Sequence, residues 1–102
     1  MLIVLTTIST AVEAADLANK IVNARLAACV QILPQMTSVY IWEGKLQQEP
    51  EHLLLIKILD EKYYELAAFI TANHSYTVPE IVAIDAERVS EKYLGWLKGV
   101  LD

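Results

Sequence analysis

The sequence predicts an α+β sandwich in which one antiparallel sheet carries two helices on one face. Three observations lead there. Apolar, β-branched runs alternate with stretches of helical periodicity in the order β-α-β-β-α-β, and a further helix follows. Only three Gly and three Pro punctuate 102 residues, so the connections are short. That length allows one domain, taken as residues 1–102. Split βαβ units in this order build the ferredoxin-like sandwich.

Met1 to Ile8 reads as a buried strand, apolar through Leu5 and β-branched at Thr6, Thr7 and Ile8. Thr10 with Glu13 three residues on is a capping box. Ala14, Leu17, Ala18 and Ile21 then fall on one helical face, and the helix should fade near Arg25 or Leu26. Ala28 to Leu33 is the next strand. Pro34 removes a ladder donor there and marks a bulge or bend, after which Thr37 to Trp42 resumes the strand. Gly44 weakens or turns it, and Pro50 is expected to close the hairpin region. His52 to Leu59 is apolar except for Lys57, which suits a central strand covered on both faces. Asp60 is the expected N-cap of the second helix, whose apolar face is Tyr63, Leu66, Ala67 and Ile70. Val78 to Ile84 is a further strand. Ser90 caps the last helix, which should bury Tyr93, Trp96, Leu97 and Val100.

The apolar fraction is 55%, against a typical value of about 45–50%. A chain this short buries roughly 65% of its unfolded surface. It cannot hide that much apolar area alone, and two helices leave one face of the sheet bare. Association through the sheet is therefore expected. The net charge of -5, with Lys and Arg scattered singly, argues against a nucleic-acid partner. A single cysteine excludes an intrachain disulfide framework. The apolar start has no basic residue ahead of it and is too short to span a membrane, so a soluble, cytoplasmic protein is expected.

Few residues carry chemistry. Cys29 is the only thiol, and it reads either as a small buried hydrophobe or as a soft metal ligand. His74, in a loop with Ser75 and Tyr76, reads as a hydrogen-bonded loop residue or as a ligand needing partners, such as Glu80. One Cys and two His cannot make a tetrahedral zinc site within one chain. His52 reads as a solvated edge residue. Lys57 is costly to bury unpaired. It can snorkel to the sheet edge, or pair with Glu43, Glu80 or a bound anion. Glu80 has a structural alternative as a salt-bridge partner of Lys57 or Arg25. Tyr40, Trp42, Tyr76 and Trp96 suit core or interface positions, and in a cleft their polar tips would orient a ligand. No nucleophile elbow, HExxH or phosphate-cradling Gly-rich loop is present, and a strand cysteine is quieted by burial, so no enzymatic activity is expected.

Several short motifs occur in a fixed order: Thr6-Thr7, Leu26-Ala27-Ala28-Cys29-Val30, Tyr40-Ile41-Trp42-Glu43-Gly44-Lys45, Leu54-Leu55-Ile56-Lys57, His74 through Val78-Pro79-Glu80, and Tyr93-Leu94-Gly95-Trp96. Together they resemble the CutA family of divalent-cation tolerance proteins over nearly the whole chain. The family's His-Pro-Tyr-Glu-Val-Pro-Glu stretch is His74-Ser75-Tyr76-Thr77-Val78-Pro79-Glu80 here, without the first proline and one carboxylate. Its Lys-Thr is Lys57-Ile58 here.

The resemblance implies a cytosolic homotrimer of ferredoxin-like subunits that binds divalent metal ions, copper foremost. It implies Cys29, His74 and Glu80 as metal ligands between subunits. The family's likeness to PII signalling proteins implies the alternative, a small-molecule or anion cleft between subunits drawing on Tyr40, Trp42, Lys57, Tyr76 and Trp96.

Overall fold

A computed structural model describes residues 1–101. The order is β1 (Leu2–Ile8), α1 (Ala11–Asn23), β2 (Cys29–Ile32), β3 (Met36–Trp42), β4 (Lys45–Ile58), a 3-10 turn (Asp60–Lys62), α2 (Tyr63–Asn73), β5 (Val82–Asp85) and α3 (Glu91–Leu101). The sheet runs β2-β4-β1-β5, every pairing antiparallel, and β3 also pairs with β4. The expected α+β sandwich is therefore observed.

Alternation along the strands decides where the core lies. Val4, Ile8, Leu54, Ile56 and Ile58 point one way and pack against Ala14, Leu17, Ala18 and Ile21 of α1 and Leu66 and Ile70 of α2. Their neighbours Leu53, Leu55 and Lys57 point the other way and are only half-buried. The expectation that this strand is covered on both faces fails for a single chain, because both helices of the sandwich lie on one side. A smaller cluster of Ala28, Leu59, Leu97 and Leu101 seats α3. Trp96, expected in that seat, is 47% exposed, while Tyr93 and Val100 are partly buried against it.

The helix ends follow the sequence signals. The Thr10 hydroxyl accepts the Glu13 N–H at 3.1 Å, and the Glu13 carboxylate accepts the Ser9 and Thr10 hydroxyls. Helix α1 stops in a Schellman motif. Leu26 N–H donates to the Ile21 carbonyl and Arg25 N–H to that of Val22, with Arg25 left-handed at φ 59°. Ser90 caps α3 by accepting the Tyr93 N–H at 3.2 Å. Asp60 does not cap α2. It opens the 3-10 turn instead, and its carboxylate lies 2.8 Å from the Met1 amine.

β2 and β3 lie end to end along one edge of β4. Between the pairs Ile32–Leu54 and Met36–Glu51, three residues (33–35) oppose two (52–53). This is the bulge that Pro34 signals, and it shifts the register by one. His52 sits at this point, half-buried rather than solvated. Its Nδ1–H donates to the Leu33 carbonyl at 3.0 Å, which requires the Nδ1–H tautomer or the charged ring.

Pro50 does not end the hairpin. β4 runs through it, opposite Thr37. β1 has already ended with the pair Ile8–His52, so β4 has a free edge there and a missing N–H costs no ladder bond. Glu43 and Gly44, with φ 50° and 77°, form the two-residue turn of the hairpin. The strand expected over Val78–Ile84 is shorter, Val82–Asp85. Residues 78–81 belong to the loop that follows α2, where Pro79 cannot donate to a ladder.

Candidate functional site

The β3–β4 hairpin and the loop 74–81 face each other across a groove of about 720 Å³. Pairing with β4 determines which side chains reach it, and the bulge reconciles that pairing with the alternation begun in β2. With one extra residue inserted, Ser38, Tyr40 and Trp42 share the face of Glu51 and Thr7 instead of the opposite one. All five line the groove, together with Tyr76, Thr77, Val78 and Glu80 from the loop.

A hydrogen-bond chain holds the loop. The His74 Nε2–H donates to the Thr7 carbonyl at 2.7 Å, and its Nδ1 accepts the Tyr76 N–H at 3.0 Å. Both ring nitrogens are thereby taken, and the ring is the neutral Nε2–H tautomer. The rings of His74 and Tyr76 stack at 4.6 Å. The Tyr76 hydroxyl donates to the Glu51 carboxylate at 2.7 Å, and Glu51 is only 6% exposed. Burial, then the hydrogen bond to Glu51 and its charge, raise the Tyr76 phenol well above its ordinary value.

The residues expected to carry the site separate into two places. Tyr40, Trp42, Tyr76 and Glu80 do converge on the groove. Lys57 and Trp96 do not. The Lys57 ammonium lies 5.3 Å from the centre of the Tyr93 ring, and that ring stacks at 5.5 Å on Trp96. Lys57 thus meets an aromatic face rather than Glu43, Glu80 or the sheet edge. Glu80 takes part in none of the ion pairs among the described residues. Cys29, half-buried, pairs in register with Lys57, six residues along β4 from Glu51. Extended chain makes that about 20 Å. Cys29, His74 and Glu80 therefore do not meet within one chain. Among the described residues no group of three His, Cys, Asp or Glu converges on a metal-sized space.

Sequence reasoning missed Glu51. Its signal was there. Counting back by twos from Leu55 and Leu53 puts Glu51 on the same face, but only if the strand begins before His52, directly after Pro50. What the groove offers chemically is oxygen: two carboxylates and the hydroxyls of Thr7, Ser38, Tyr40 and Thr77. Such donors suit hard cations, whereas a soft ion wants the thiol at the far end of the sheet. Among the described residues no helix is long and apolar enough to cross a membrane.

Comparison with known proteins agrees with this architecture. The chain is 41% identical over 96 residues to the divalent-cation tolerance protein CutA of Thermus thermophilus, covering 94% of this chain and 93% of that one. The solved structure of that organism's protein superposes with a TM-score of 0.91 over 95% of each chain. The CutA1 structure from Oryza sativa is 40% identical, with a TM-score of 0.95, over 99% of this chain and 93% of that one. A chloroplastic CutA of Arabidopsis thaliana is 50% identical over 82 residues, 80% of this chain, which spans 45% of that relative's length. The family model described as CutA1 divalent ion tolerance protein matches residues 2–100. Sandwich, bulged edge and groove are thus those of a chain that belongs to the CutA1 divalent ion tolerance family.

Proposed function

We propose that this is a cytoplasmic, non-enzymatic protein that binds divalent cations, copper foremost, as a homotrimer. The observation that carries the reading is the family match across residues 2–100. The open sheet face supports the assembly: Leu53 and Leu55 pair with Thr7 and Leu5, and beyond them Val82 and Ile84 are about half exposed. Cys29 lies too far from His74 and Glu80 to share an ion with them in one chain, so a site using all three needs the seam between copies. His74 would also have to release one of its two backbone partners. Glu51 and Glu80 supply carboxylate oxygens without any such rearrangement.

Sedimentation gives the subunit number, and a monomer at micromolar concentration overturns the assembly. Calorimetric copper titration of the wild type is then compared with Cys29→Ser, His74→Ala and Glu80→Gln. Loss of binding in any of the three supports its residue as a ligand. Equal binding in all four proteins overturns the ligand set.

A further inference from the structure

The loop 74–81 has neither a ladder nor a helix to hold it. Residues 75–80 make no backbone-to-backbone hydrogen bond among the described residues. Side chains tie the loop instead, and two of the ties run through one imidazole. His74 is the C-cap of α2, already extended at φ -95° and ψ 145°, so it stands where the chain leaves the helix. Its Nε2–H reaches the Thr7 carbonyl of β1 at 2.7 Å, and its Nδ1 receives the Tyr76 N–H at 3.0 Å. The ring also stacks on Tyr76, whose hydroxyl carries the chain of bonds on to Glu51. These contacts lie within one chain and do not depend on what covers the open sheet face.

A ligating imidazole gives the lone pair of one nitrogen to the ion and keeps a proton on the other. In His74 that lone pair is on Nδ1 and is already taken by the Tyr76 N–H. Coordination through Nδ1 would displace that N–H. Coordination through Nε2 would first displace the proton held against Thr7. Either route removes a tie from a loop with no backbone bonds to replace it. Among the described residues, no group of three His, Cys, Asp or Glu that could hold an ion includes His74.

We infer that His74 is not a metal ligand but the latch of the loop 74–81, a positioning residue that fixes Tyr76 and, through the same short loop, Glu80. The inference removes one residue from the ligand set that the family resemblance implies. It leaves divalent-cation binding itself standing.

Glutamine tests the latch against alanine, because its amide offers both a donor for Thr7 and an acceptor for Tyr76. Amide exchange is followed by NMR on the whole chain with a metal chelator present. His74→Ala should speed exchange of the Tyr76 N–H about tenfold, and His74→Gln should stay within about threefold of the wild type. The ring nitrogens of the wild type give a second reading that needs no variant. Without chelator they should show the Nε2–H tautomer, and saturating zinc chloride should leave their shifts in place. Tyr76 exchange unchanged in His74→Ala, equal acceleration in both variants, or a zinc-dependent shift of the His74 ring overturns the latch. Copper titration reads the cation proposal separately, so either can fail alone.

Discussion

The Tyr76 hydroxyl sits 2.7 Å from the Glu51 carboxylate and ties the loop after α2 to the longest strand of the sheet. The two residues are 25 apart in sequence. Removing one partner strands the other in a buried place. Tyr76→Phe should therefore destabilise the protein by about 1–3 kcal/mol. Glu51→Gln keeps an acceptor for the phenol and should cost less. Urea unfolding at one fixed protein concentration checks the order, and equal costs for the two variants would contradict it.

The same pair predicts an alkaline effect. The phenol of Tyr76 is raised in the folded protein, so folding favours its neutral form. Its contribution is constant below the unfolded value of about 10 and is lost as the pH rises above it. Stability should fall in that window for the wild type and more gently for Tyr76→Phe. The difference in tyrosinate absorbance between the two proteins should show a transition above the ordinary value. A transition near 10 would refute the burial argument.

Arg25 holds a left-handed conformation where helices usually place glycine. Arg25→Gly removes that strain at the cost of a looser unfolded chain. A net gain of about 0.5–1 kcal/mol is expected. Arg25→Ala keeps the strain and should show no gain. Thermal unfolding of both variants separates this from an effect of the lost charge.

Thr6 is fully buried, and its hydroxyl has no hydrogen-bond partner among the described residues. It faces the same core as Val4 and Ile8. Thr6→Val keeps the shape and drops the stranded oxygen, so stability should rise by about 1 kcal/mol. A loss on denaturant unfolding would mean that the hydroxyl has a partner in solution.

Much of the fold was legible because local signals agreed with one another. The Thr10 box, the Ser90 cap, the helical spacing of Ala14 to Ile21 and the break at Pro34 each led to the element observed. The misreadings share one cause, which is that pairing partners are not visible in sequence. Pro50 looks like a terminator until β1 is known to end before it. Asp60 looks like a cap until the Met1 amine is placed beside it. Trp96 and Lys57 look like partners of Trp42 in one cleft until β4 carries Lys57 to the other end of the sheet and α3 places Tyr93 and Trp96 beside it. His74 was legible as a loop residue, but its two backbone partners come from β1 and from its own loop. Of the groove, the residues from the hairpin tip and the loop were found, and Glu51 was hidden by the proline next to it.

The three-against-two count at residues 33–35 has a consequence beyond the kink it makes. Deleting one of those residues would leave two opposite two and remove the kink, while the pairs from Met36–Glu51 to Trp42–Lys45 would keep Tyr40 and Trp42 on the same side of β4. The hollow would keep its lining residues and lose the added twist of the arm that carries half of them. A change of chain length at this kink thus alters the width of the hollow rather than its chemistry.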